Sequence, residues 1–520
     1  MRKIIILLVV LVFGIAGLTY FYFSRLNSEN DKNDTALLVA TNQASIIFTF
    51  QNDKSFYQIT ESQTLLQQLL GIDKMALLMN FKKAIVDNDL YNSFINDQPV
   101  YLSVLPDEKK DINFLFTAQI ETHKKIENFK SKLKNPLTQA NEIYDLKLSD
   151  SVEVYIGFKN NVVTASSSLQ LVKNALKDPK RNDFADYIKA NNQYKKTVLA
   201  TTYLNFNEAP ALLKIILAGN INGELNFLNK QNSYAVLNYN FSKEKILFNG
   251  NTDIKSADNY LKLFENISPQ VISITNILPK NSANYVLYAF ADYSNWHKKL
   301  KNWFVEKNEN EKIEKNISNI QNQYRVNLNT IFPQYAKNQF ILFQLSTGEK
   351  LGAISLSNGD KVKQLLLDIS NNYNDDIKAF KTDGILYSYF GEPFKKFNKP
   401  FYTIVDNNLV VANNPSTLQS FLNDYKNSRF LIQSAEYLDA LNQISTTANV
   451  SFYINLKNSD GIFRNAVQNS FYRNLSKEAS LKSFDTFYYQ MAADKNRFMT
   501  NMLLNKYVKP QIPDTLTNRL

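Results

Sequence analysis

The residue types that most often carry catalysis are scarce in this chain, so the few present can be weighed one by one. Its 520 residues contain no cysteine and two histidines, His123 and His297. Without cysteine there is no thiolate nucleophile, disulfide, iron–sulfur cluster or thiolate zinc site. Two histidines supply at most two ligands of a metal centre. Neighbouring carboxylates occur at Asp107-Glu108 and Asp375-Asp376. A general acid needs burial to raise its pKa, and both pairs sit in polar stretches that read as solvated turns. Ser166-Ser167-Ser168 offers hydroxyls, but between a strand and a helix such a run caps the helix. Its later counterpart, Asn413-Asn414-Pro415-Ser416, does not keep the serines. Phosphate-cradling G-x-x-x-x-G-K-[ST] and G-x-G-x-x-G loops and the G-x-S-x-G elbow are all missing from the sequence. The expectation is a protein with no catalytic residue, cofactor or metal.

One amphipathic stretch stands out. Ser294 to Lys307 holds both tryptophans, and Trp296, Leu300, Trp303 and Phe304 fall on one helical face opposite Lys298, Lys299 and Lys301. Two readings stand: an apolar surface for a partner or membrane, or a core helix with its lysines in water. Leu65, Leu66, Leu69, Leu70, Met75, Leu78 and Met79 give a second aliphatic region, readable as a groove for lipid or peptide or as plain packing.

The elements that would position these residues begin with a membrane segment. Ile4 to Phe23 is uncharged, flanked by Arg2-Lys3 and Arg25, and about 20 residues suffice to span a bilayer. It reads as an uncleaved single-pass helix, N-terminus inside, over residues 1–26, with the bulk of the chain in the periplasm or exterior. The other reading is a cleaved signal peptide with Gly14-Ile15-Ala16 at the cut. Residues 27–35 read as a polar tether. Net charge is +11, from 59 basic and 48 acidic residues, spread thinly and mostly as lysine, so no nucleic-acid partner is expected.

After the tether the chain is written twice. YIGFKNNVVTASSSLQ (155–170) is echoed by YTIVDNNLVVANNPSTLQ (402–419), with Asn160-Asn161 and Asn407-Asn408 as tight turns. Hairpins at 99–120 and 339–356, strands at 198–206 and 450–456, and hairpins at 234–252 and 487–504 follow in the same order. The expected fold is α+β: two tandem repeats, 36–255 and 284–508, each an antiparallel sheet with helices on one face. A linker at 256–283 joins them and a tail at 509–520 ends the chain.

This layout, with its NNVVTASSSLQ and NNLVVANNPSTLQ segments, resembles uncharacterised bacterial envelope proteins that carry one anchor and a duplicated α+β exported region. The resemblance implies an inner-membrane location and brings no functional residues. The functional expectation is a non-enzymatic binding or scaffold protein with an envelope-protein or lipid partner. The alternatives are a carrier of an apolar ligand and, more remotely, a hydrolase.

Overall fold

The computed structural model describes residues 35–509, apart from 52–55, 71–74, 88–97, 139–142, 193–197, 220–231, 476–482 and scattered shorter gaps. Two compact units emerge. Of the described residues, one unit holds those up to Gln58 and from Leu77 to Tyr194; the other takes Ile59–Ala76 and everything from Lys195 onward.

In the smaller unit the strands are β1 (Ile46–Gln51), β2 (Pro99–Pro106), β3 (Ile112–Gln119), β4 (Pro136–Thr138), β5 (Ile143–Ser149), β6 (Val152–Lys159) and β7 (Val162–Ser166). They pair antiparallel in the order β1-β2-β3-β7-β6-β5-β4. Asn160, with φ 51°, turns β6 into β7. Ser168 then caps the helix Leu169–Ala175, accepting from the Leu171 amide.

The larger unit opens with the meander β8 (Ala200–Asn205), β9 (Ser233–Phe241) and β10 (Lys245–Ile254). The two-residue strand β11 (Gln270–Val271) pairs apart from the main sheet, with β19 (Thr447–Ala448). The main sheet continues through β12 (Ser282–Ala289), β13 (Ala336–Leu345), β14 (Lys350–Leu356), β15 (Ser370–Asn372), β16 (Lys378–Phe380), β17 (Phe401–Val405), β18 (Asn408–Ala412), β20 (Val450–Asn455), β21 (Thr486–Asp494) and β22 (Arg497–Asn505). Its order is β8-β9-β10-β22-β21-β20-β12-β13-β14-β18-β17-β16-β15, antiparallel throughout. The run β12 to β18 copies the order seen in β1 to β7, and the meander β20-β21-β22 copies β8-β9-β10.

At the seam, β10 lies against β22 with Asn249 opposite Asn501. Asn501 follows Asn249 by 252 positions, and Gln490 follows Asn238 by the same step. Equivalent strands therefore pair with each other about a local two-fold axis.

The structure corrects the expected fold in three respects. Helices cover both faces of the larger sheet rather than one. On one face lie α1 (Tyr293–Glu306), α2 (Asn310–Tyr324) and α3 (Ile385–Phe390), over Val286, Tyr288, Phe340, Leu342 and Ile354. On the other lie α4 (Pro415–Lys426) and α5 (Ala435–Leu441), over Tyr285, Leu287, Ile341, Phe343 and Ala353. The cause is legible in β13 and β14, whose apolar runs Phe340–Phe343 and Leu351–Ile354 are buried without alternation, as strands covered on both sides must be. Secondly, the expected repeats do not form separate sheets, because the β10–β22 pairing makes one sheet of β8–β10 and the whole later set.

The third correction concerns the membrane. Among the described residues no helix is long and apolar enough to cross a bilayer. The longest labelled here, α2, has 15 residues and carries Glu311, Lys312, Glu314 and Lys315, against about 20 apolar residues needed. The expected transmembrane helix, and the inner-membrane location built on it, find no support in this fold. Residues 4–23 themselves lie outside the described residues.

One turn is also displaced. Val405 pairs with Asn408, so the β17–β18 turn is Asp406-Asn407, with φ 41° and 60°, and not Asn407-Asn408. Asn414 precedes α4 without a side-chain cap, and Pro415 opens the helix with its φ preset and no orphan N–H to satisfy.

Candidate functional site

The four residues singled out as an apolar or partner surface are core. Trp296 and Leu300 are 0% exposed, Phe304 1% and Trp303 5%. Asp292 caps α1 through the amides of Ser294 and Asn295, and the stripe then turns onto the sheet. Trp296 stacks on Phe290 with ring centres 4.8 Å apart, and Trp303 meets Tyr260 edge-on at 5.6 Å. The Trp303 indole N–H donates to the Asp258 carbonyl at 2.8 Å. Such a face has no surface to offer a partner, which corrects that expectation. Lys299, opposite the stripe, donates to the Glu265 carbonyl, and Lys307, beside Trp303, pairs with Asp258.

His297 belongs to the same core, between the rings of Tyr293 and Tyr389 at 5.3 and 5.5 Å. Burial, reinforced by the charge of Lys301, lowers its pKa to about 4, so it is neutral near pH 7. The helix His123–Lys130 begins at the other histidine, whose side chain lies outside the described residues. Asp107 accepts from Asn113 and Ser168, holding a turn to a cap. Asp376 pairs with Lys426 on the surface. Of the second aliphatic region, Leu65 and Met75 are buried. Among the described residues no group of three His, Cys, Asp or Glu is placed to hold a metal ion.

The opposite face of the sheet has another character. Leu247 and Leu503 mark it, since they pack with the core under α4 and α5, and every second residue shares it. In register across six neighbouring strands run Thr201 (β8), Asn238 (β9), Asn249 (β10), Asn501 (β22), Gln490 (β21) and Ser451 (β20). None carries a charge. Thr201 donates to Asn238 at 3.2 Å, Asn240 to Asn249 at 3.1 Å, and Asn249 to Asn501 at 2.5 Å. From Thr201 to Asn501 the row is half-buried, whereas Gln490 and Ser451 are 1% and 0% exposed beneath the Ser445 loop, whose carbonyl accepts from Gln490.

Beside the buried end stand four tyrosines. Tyr285 shares hydroxyl hydrogen bonds with Tyr437 (3.1 Å) and Tyr488 (3.3 Å), and Tyr453 stacks on Tyr285 at 4.9 Å. Burial raises all four phenol pKa values, so they remain neutral and act as hydrogen-bonding groups rather than bases. At the edge of this group Asp485 accepts from the Tyr507 amide at 2.7 Å. Its carboxyl pKa is raised, chiefly by burial.

Sequence reasoning missed the polar row. Its trace was there: Ser451, Tyr453 and Asn455 alternate in β20 as Thr201, Tyr203 and Asn205 do in β8. Only the pairing of β10 with β22 brings the two halves into line. No protein-family model, curated protein or solved structure matches this chain.

Proposed function

We propose that the chain is a non-catalytic binding protein whose larger sheet recognises a neutral, hydroxyl-rich ligand, a saccharide in chemical class, along Thr201, Asn238, Asn249 and Asn501. The observation that carries this reading is the row itself: uncharged side chains, two of every three of them amides, in register on one face. Strands lie about 4.8 Å apart, comparable to the width of a pyranose ring. Each amide offers a donor and an acceptor to adjacent hydroxyls. Met499, 56% exposed and two residues from Asn501 on the same strand face, adds apolar surface for a sugar's C–H groups.

The test is calorimetric titration of the purified chain with a panel of neutral oligosaccharides at 0.05 and 0.5 M salt. Binding should be nearly independent of salt, because no charged group lies in the row. Binding confined to charged ligands and lost at high salt would overturn the reading. A carrier of apolar ligands draws no support from the pocket lined by Val39, Val162, Ala175 and Leu176, which encloses about 10 Å³, room for one water.

A further inference from the structure

The two copies of the meander treat the same register position differently. In the first, Thr201 and Asn238 bond directly at 3.2 Å. In the second, their equivalents Ser451 and Gln490 are cross-strand partners, yet neither Ser451 Oγ nor Gln490 Oε1 has a partner among the described residues. Both residues are buried, at 0% and 1% exposure. The Gln490 amide nitrogen is committed to the Ser445 carbonyl at 2.8 Å, which leaves an acceptor oxygen in need of an O–H or N–H. Buried polar groups in folded proteins are almost always satisfied, by ordered water where protein atoms do not reach.

We infer that a single water molecule bridges Ser451 Oγ and Gln490 Oε1, forming a built internal hydration site at the closed end of the row. The water donates to Gln490 Oε1 and accepts from the Ser451 hydroxyl, and each group gains the bond it lacks. Leu287, the register neighbour of Ser451 on β12, is fully buried. An ion would face that apolar side chain with no counter-charge in the row, so the occupant is neutral. Thr486 Oγ1, also fully buried and without a partner among the described residues, lies on the same face of β21. It marks the direction in which hydration would extend.

The test has two parts, both on the full chain. A crystal structure near 1.5 Å resolution should show one oxygen within hydrogen-bonding distance of both atoms. Thermal unfolding of S451A, Q490M and the double variant should be non-additive, the double losing less than the sum of the singles, because both side chains hold one shared molecule. Absence of that oxygen, density for a larger molecule, additive shifts, or S451A melting higher than the parent would each overturn the inference. The crystallographic arm needs no variant, so a Q490M chain that fails to fold leaves the test decisive. The site is closed and lies beyond the half-exposed residues, so its failure leaves the saccharide reading standing.

Discussion

The two faces of the larger sheet are built from the same strands but solve different problems. Beneath α1 to α3 the contacts are chiefly aromatic: Trp296 lies within about 6.5 Å of Phe290, Phe340 and Phe390, and Phe340 within about 6.1 Å of Phe290 and Phe390. Beneath α4 and α5, and along the half-buried row on the strands beside them, amides and hydroxyls line the sheet. A polar group buried there costs free energy unless bonded, so that face depends on hydrogen bonds as well as on packing. The comparison separates a face packed mainly by aromatic rings from the face proposed to recognise a ligand.

The largest expected effect lies on the aromatic face. Trp296→Ala should destabilise the chain by about 3–5 kcal/mol, from lost burial and the cavity left behind. Chemical denaturation would record it, and a loss under about 1 kcal/mol would show that this face is not the mainstay of the core. Second comes pH. His297 has a pKa of about 4 when folded against an ordinary 6.5, so between those values the unfolded chain binds the extra proton. Stability therefore falls as pH drops from about 6.5 to about 4 and levels off below. At about 1.4 kcal/mol per unit the whole effect is at most about 3.5 kcal/mol. His297→Phe should remove that share of the slope; an unchanged slope would contradict the neutral, stacked histidine.

Next is Gly250, in β10 at the β9–β10–β22 seam. A Cβ there would sit 1.9 Å from the Val236 carbonyl oxygen. Gly250→Ala should cost about 1–3 kcal/mol through forced backbone movement, visible as a lower melting temperature; a neutral result would mean that the seam is looser than drawn. The smallest effect belongs to the polar face: Tyr285→Phe should cost only about 1 kcal/mol, the hydroxyl's net hydrogen-bonding contribution.

What the sequence made legible follows from period and turn chemistry. Ser168, Asp107 and the Asn160 turn were readable because local rules decide them. The stripe on α1 showed its helix but not its destination, since a core stripe and a docking stripe have one and the same pattern. Burial alone separates them. Two-sided coverage of β13 and β14 was written in their unbroken apolar runs, yet short runs of that kind do not distinguish one covered face from two. The row from Thr201 to Ser451 was least legible, because its members come from two meanders about 250 residues apart and meet only through the β10–β22 pairing.

One strand allows the central claim to be tested directly. Asn249 faces the polar side of β10, while Thr252 faces the aromatic side, where its hydroxyl bonds Thr500 at 2.7 Å. For the neutral oligosaccharide that binds the parent chain best, calorimetric affinities of Asn249→Ala and Thr252→Val should be compared. The account predicts at least a tenfold loss, about 1.4 kcal/mol, for the first and no change for the second. Equal affinities for the two variants, or a loss confined to Thr252→Val, would contradict it.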